Sequence, residues 1–334
     1  MIPPFQPTPL LRHADAQTIV ANLWRPRPGP PVTRVRWELD DGDFLELDRA
    51  AGPRPDAPVA VLCHGLEGSS GAPYMRGLAQ ALVRRGLAVV ALNFRTCGGL
   101  PNRLPRSYHS GETTDLGEVV RRLVLETPGR PLVVAGFSLG GNVVTKWLGE
   151  HGDDLPAEVR GGAAVSVPFD LAASQRRIDG PGRLMWVYRE RFMRRLRRKA
   201  AGKARQFPGL FDAAAIARAG TFAEYDQLMT APVHGFASRD DYYARCSAGR
   251  FLHGIRRPYL ALSAADDPMV PAESLPVAAA QANPAVRLVV TPHGGHTGFM
   301  DGALPRPGFW AERSVADFLA AQVGAAAPAT SARP

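Results

Sequence analysis

The stretch that most restricts what this chain can become is Gly136-Phe137-Ser138-Leu139-Gly140-Gly141. A short apolar run, 131–135, leads into it, and residues 142–148 follow with the composition of a buried helix. A serine held on a sharp strand-to-helix turn has strained backbone angles and an exposed hydroxyl at the helix N-terminus. Glycines two before and two after it are required because a Cβ there would strike the neighbouring strand or helix. The five-residue pattern alone would also fit a glycine-bounded turn with a bystander serine. The strand before, the helix after, and acid and base candidates downstream favour a nucleophile elbow with Ser138 as its nucleophile.

The rest of the chain supplies a frame for that turn. Residues 33–39 and 44–48 alternate in character around Asp40-Asp41-Gly42-Asp43, the pattern of an antiparallel hairpin. Continuous apolar strands are expected at 57–63, 87–93, 131–137, 162–167, 258–263 and 286–291. Helices are expected near 14–21 and at 74–85, 114–125, 142–148, 272–282 and 311–321. Apolar strands alternating with helices imply an α/β fold, a mostly parallel eight-stranded sheet covered on both faces. From 168 to about 255 the alternation stops and the chain becomes helical and arginine-rich. An insertion there, at the C-terminal strand ends where open α/β sheets bind ligands, would roof the site. The expected organisation is a single domain over 1–334, a helical cap at 168–255 and a disordered Ala/Pro/Ser-rich tail at 324–334.

The net charge of +9 is concentrated in one place. Between Arg183 and Arg205 ten Lys or Arg face a single acid, Glu190, while the remainder of the chain is balanced. A nucleic-acid binder would spread basic residues over a recognised module and interleave aromatics for stacking. No such module is present, so nucleic acid is not an expected partner. Met185, Tyr188, Phe192 and Leu196 are spaced by three, four and four, one apolar stripe of a helix. Arg191, Arg194, Arg195, Arg197 and Arg198 would then form a solvated cationic face or a contact for an anionic membrane through 183–205. No apolar run approaches the ~18 residues a membrane span requires. No signal-peptide pattern opens the chain. Three well-separated cysteines, Cys63, Cys97 and Cys246, argue against a disulfide framework and fit a cytoplasmic protein.

A serine hydroxyl is a poor nucleophile at neutral pH and needs a histidine base that a carboxylate orients. Both follow the elbow. Asp266 and Asp267 lie in Ser263-Ala264-Ala265-Asp266-Asp267-Pro268-Met269-Val270-Pro271, a strand end and turn. Successive side chains point in different directions, so one of the pair faces the histidine. Asp267, just before the Pro-x-Val-Pro turn, is favoured, and Asp266 is expected to cap the next helix. His296, on Pro292-His293-Gly294-Gly295-His296-Thr297-Gly298-Phe299 after the last strand, is preferred to His293 as base. Metal ligation by this pair with the aspartates is the alternative, but no further His/Cys cluster lies nearby. No metal or cofactor is expected. Oxyanion donors would be Leu66 N–H, in the glycine turn Cys63-His64-Gly65-Leu66-Glu67-Gly68 after the third strand, and Leu139 N–H after the nucleophile.

Further motifs share these surroundings: Ala16-Gln17-Thr18-Ile19, Asn93-Phe94-Arg95-Thr96-Cys97-Gly98-Gly99, Tyr108-His109-Ser110-Gly111, Phe222-Ala223-Glu224-Tyr225-Asp226 and Asp241-Tyr242-Tyr243. With the elbow and the acid and histidine loops, the chain resembles over nearly its whole length the α/β-hydrolase group of bacterial YheT and eukaryotic ABHD1/ABHD3-like and Emb8-like proteins. The resemblance implies the α/β-hydrolase fold, a Ser138–Asp267–His296 triad and hydrolysis of carboxylic esters, acyl or lipid-like, through an acyl-enzyme. Transfer to an alcohol with the same triad, or ligand binding without chemistry, are the alternatives. For Arg95 and Tyr108-His109 a site-shaping role and a structural one stay open. Thr96 stands where relatives often carry Gly. No counterpart of the eukaryotic members' N-terminal membrane anchor is visible, which points to a soluble protein.

Overall fold

The computed structural model describes residues 2–25 and 29–325. After α1 (Ala14–Trp24), the alternating segments pair as an antiparallel hairpin, β1 (Thr33–Glu38) with β2 (Phe44–Ala50). The continuous apolar runs become β3 (Val59–Cys63), β4 (Ala88–Asn93), β5 (Leu132–Phe137), β6 (Val159–Val165), β7 (Tyr259–Ala264) and β8 (Val286–Thr291). The eight strands are ordered β1-β2-β4-β3-β5-β6-β7-β8. β2 joins β4 antiparallel, and every later pairing is parallel. β3, β4, β5 and β7 are buried along their whole length, as strands covered on both faces must be.

Helices supply that cover. α2 (Pro73–Val83) and, at the C-terminal end, the helix Trp310–Gln322 bury Met75, Leu78, Leu82, Trp310, Val315 and Leu319 against one face. α3 (Thr114–Glu126) and α4 (Leu139–His151) bury Leu116, Val120, Val143 and Trp147 against the other. Between β6 and β7 the regular elements are helices: α5 (Leu171–Asp179), α6 (Arg183–Gln206), α7 (Ala213–Arg218), α8 (Phe222–Tyr225), α9 (Ala231–Val233) and α10 (Arg239–Cys246). A π-helical turn, Asp226–Thr230, joins α8 to α9, and a 3-10 turn, Ala248–Gly254, returns the chain to β7.

Two elements differ from expectation. β6 begins at Val159, three residues early, because backbone pairing with Leu132 recruits Arg160 and Gly161, which carry no apolar signal. The expected helix 272–282 is broken into a 3-10 turn, Ala272–Ser274, and α11 (Val277–Gln281). Pro276 forces Leu275 into an extended conformation, ψ 129°, and offers no N–H to continue the helix. The final helix, Trp310–Gln322, is α12. Ala325 N–H still donates to Ala320 O at 3.0 Å, and residues 326–334 of the tail expected to be disordered lie outside the described residues.

Candidate active site

Ser138 closes β5 and caps α4 with φ 52° and ψ −120°, a left-handed conformation that a non-glycine residue adopts only where the surroundings compel it. Compulsion comes from both sides. Ser138 N–H donates to Val165 O at 2.8 Å on β6, and Ser138 O accepts from Asn142 N–H at 3.0 Å in the first helical turn. A Cβ on Gly136 would run into Gly140 O, and one on Gly140 into Cys63 O. The turn is therefore possible only with glycine at both places. Leu139 N–H, in the first turn of α4, has no intrahelical acceptor and points its dipole toward the serine side of the helix.

His296 reaches this serine from the loop after β8. Its Nε2 lies 2.9 Å from Ser138 Oγ, and its Nδ1 lies 2.8 Å and 3.1 Å from the two oxygens of Asp267. Asp267 Oδ1 also accepts from Met269 N–H at 2.8 Å and Val270 N–H at 3.1 Å, which fixes the carboxylate's orientation. Asp266 does not cap a helix as expected: it faces the histidine loop, accepting from Gly295 N–H at 2.9 Å and lying 3.3 Å from His293 Nδ1. The first helix braces the same loop. Thr18 Oγ1 accepts from His296 N–H at 2.9 Å, and the Gln17 amide both accepts from Met300 N–H and donates to Met300 O. Buried Arg25 donates to Thr297 O, Gly298 O and Glu312. These contacts give the Ala16–Ile19 motif a purpose that spacing along the chain could not reveal.

The loop after β3 is tied down residue by residue. His64 Nδ1 lies 2.7 Å from its neighbour Gly65 O and Nε2 accepts from Phe94 N–H at 3.2 Å; burial holds this imidazole neutral, with its pKa down at about 4. Tyr74 Oη accepts from Gly65 N–H at 3.0 Å, and Tyr108 Oη from Glu67 N–H at 2.8 Å. The amides on either side of Leu66 are thus each held by a tyrosine, while Leu66 N–H has no protein acceptor among the described residues. Glu67, at φ 54°, has its carboxylate bonded by Tyr108 Oη and Lys199 Nζ, both at 2.9 Å, and its carbonyl by Arg195 Nη1 at 2.8 Å. Burial would lower the Lys199 pKa, but Cys97 and Glu67 hold it above the usual lysine value.

Helix α6 carries the expected apolar stripe and an exposed cationic face, and in addition bonds several of its basic side chains to the protein. Its buried residues include Met193, Ala200 and Lys203 beside Tyr188 and Leu196, and Met185 is only partly covered. Arg195, though exposed, bonds Glu67 O, Lys199 bonds the Glu67 carboxylate, Lys203 bonds Asn102 O, and Arg197 bonds Ala219 O. Arg191, Arg194 and Arg198 stay exposed. Arg95, whose role was open, is buried and bonds buried Asp43 and Asp115 and the more exposed Asp41, all within 3.2 Å, and so holds the hairpin turn to α3. Thr96 has φ 70°, a conformation that glycine adopts without steric cost.

Two spaces meet at Ser138. An inner cavity of about 140 Å³ runs under the inserted helices, walled mainly by apolar side chains such as Leu171, Ile178, Leu196, Met229 and Val270. An outer cleft of about 620 Å³ is bordered by Thr18, Ser69, Tyr188, Arg191, Arg195 and Arg198. Ser138, His296, Leu66, Thr96 and Met269 border both. No group of three or more His, Cys, Asp or Glu side chains able to hold a metal occurs among the described residues. No helix among them is long and apolar enough to cross a membrane.

A serine and histidine in contact above a parallel sheet, beneath a helical insertion, define an esterase- or lipase-type α/β hydrolase. The family model described as the alpha/beta hydrolase fold matches residues 58–303, and the chain belongs to that family. It is 37% identical over 312 residues to YheT of Escherichia coli, an esterase by assignment, covering 92% of this chain and 90% of that one. Phospholipase ABHD3 of Mus musculus is 31% identical over 327 residues, covering 96% of this chain and 79% of the relative. Among solved structures, the Pyrococcus furiosus esterase Pf2001 superposes with a TM-score of 0.54 over 90% of this chain and 94% of its own, at 18% identity, a likeness of fold.

Proposed function

We propose that this enzyme hydrolyses carboxylic esters through an acyl-enzyme on Ser138. His296 Nε2 takes the Ser138 proton as Oγ attacks the ester carbonyl, and the carbonyl electron pair moves onto oxygen. Leu66 and Leu139 N–H groups hold that oxyanion. As the tetrahedral species collapses, His296 returns its proton to the departing alcohol. A water, deprotonated by the same histidine, then releases the acid. Asp267 keeps Nδ1 protonated and stabilises the imidazolium in both steps. The observation that carries this reading is His296 bridging Ser138 Oγ at 2.9 Å and Asp267 Oδ2 at 2.8 Å.

The apolar inner cavity supports an acyl chain as the group bound there, and the phospholipase designation of the mouse relative supports lipid-like esters. Residues 168–255 act as the cap that covers it. Exposed Leu184, Trp186 and Val187 stand on the same helix as exposed Arg191, Arg194 and Arg198. This pairing supports peripheral contact with an anionic membrane at the cleft mouth. Three free cysteines, two of them buried, favour a cytoplasmic setting. A panel of p-nitrophenyl esters of rising chain length tests the assignment. Turnover should be lost on the order of 10³-fold or more in Ser138→Ala. A folded Ser138→Ala enzyme with wild-type rates would refute it.

A further inference from the structure

Most polar groups around the inner cavity are closed on one another. Asp226, in the π-helical turn, accepts from Thr230 Oγ1 at 2.6 Å and from Tyr243 Oη at 2.7 Å. Tyr242 Oη accepts from Ser110 N–H at 3.0 Å. Three buried side-chain atoms on residues lining the cavity are different: Thr96 Oγ1, Ser174 Oγ and His234 Nε2 have no hydrogen-bond partner among the described residues. Thr96 stands at the junction with the outer cleft, whereas Ser174 and His234 border the inner cavity alone.

The chemistry of the two inner atoms is defined. His234 Nδ1 lies 3.0 Å from Thr230 O; a carbonyl only accepts, so Nδ1 carries the proton and Nε2 presents a lone pair. Burial lowers the His234 pKa below the usual imidazole value, and that of its ring neighbour His109 to about 3, so neither is a cation at neutral pH. His234 Nε2 therefore requires a donor. Ser174 Oγ, on α5, can both give and accept. Left unpaired in an apolar space, each atom forfeits the hydrogen bond it had with water in the unfolded chain.

We propose that the inner cavity is built for an acyl chain bearing a hydroxyl group, bonded by His234 Nε2 or Ser174 Oγ according to its position along the chain. A plain hydrocarbon chain would leave both atoms unpaired. A hydroxyl, donor and acceptor at once, satisfies either. The proposal rests on the reading of the inner cavity as the acyl site, and its test is separable from the chemistry at Ser138.

Octanoic acid and its singly hydroxylated isomers are titrated calorimetrically into the Ser138→Ala protein, which binds without turning over. At least one hydroxylated isomer should bind about three- to tenfold more tightly than octanoic acid. That ratio should fall toward one in the Ser138→Ala protein carrying His234→Leu or Ser174→Ala; two substitutions guard against one that misfolds. Equal affinity for all the acids, no affinity for any, or a preference that survives both substitutions overturns the proposal. Failure of the hydrolase reading shows up separately, as wild-type protein that turns over no p-nitrophenyl octanoate, hydroxylated or plain.

Discussion

Replacing Tyr108 by Phe removes one oxygen and with it two bonds to Glu67, one from the backbone N–H at 2.8 Å and one to the carboxylate at 2.9 Å. Both are buried, so Glu67 N–H is left without an acceptor, a cost of about 1–3 kcal/mol. Glu67 already sits at φ 54°, and a peptide relieved of its restraint relaxes by rotating. The Leu66–Glu67 peptide is the one that moves, and its rotation shifts Leu66, whose own N–H lies one peptide earlier in the same turn. If the whole cost appears in the transition state, kcat falls roughly five- to 150-fold. The ceiling is loss of an entire oxyanion donor, about 10²–10³ in kcat. KM should change little, because the hydroxyl is committed to Glu67. The assay is steady-state hydrolysis of p-nitrophenyl butyrate, with thermal unfolding measured alongside. A Tyr108→Phe enzyme that unfolds at a lower temperature yet keeps kcat within twofold would show that Tyr108 supports the fold and not the oxyanion donor proposed at Leu66.

Three further outcomes follow from the same geometry. Asp267→Asn should lower kcat/KM on the order of 10⁴-fold, because Asn no longer holds the His296 tautomer, while Asp266→Asn, which loosens only the Gly295 and His293 contacts, should cost far less; the reverse order would exchange their roles. Burial raises the Asp226 pKa from 3.8 to about 6, so the stability it contributes is complete below pH 3.8 and is lost as pH rises through 6, up to about 3 kcal/mol. The Tm of Asp226→Asn should therefore gain on wild type between pH 4 and pH 8, and a constant difference would contradict the burial argument. Arg191, Arg194 and Arg198 changed together to Gln should weaken co-sedimentation with anionic vesicles by up to ~1 kcal/mol per residue in low salt; unaltered binding, or equal binding to neutral vesicles, would exclude the membrane contact.

The parts of this molecule that could be read along the chain are those enforced locally. Gly136 and Gly140 are legible because backbone from adjacent elements occupies the space a Cβ would need. The strands are legible because burial on both faces demands continuous apolar residues. What escaped reading depends on distant partners. Gln17 and Met300 are 283 positions apart, and nothing local in Ala16–Ile19 marks it as a brace for the histidine loop. Arg195, Lys199 and Lys203 carry the same charge as their solvated neighbours on α6, and only the carbonyls and carboxylate opposite them set them apart. Adjacent Asp266 and Asp267 were separable by the turn that follows, since Met269 and Val270 amides can reach only the second of them.

Nucleophilic attack by Ser138 is the centre of this account, and a covalent adduct tests it most directly. The wild-type protein, treated with a fluorophosphonate and analysed by intact mass and peptide mapping, should gain one phosphonyl group on the peptide carrying Ser138. Ser138→Ala should gain none. An unmodified wild-type protein, or a label on any other residue that persists in Ser138→Ala, would contradict the account.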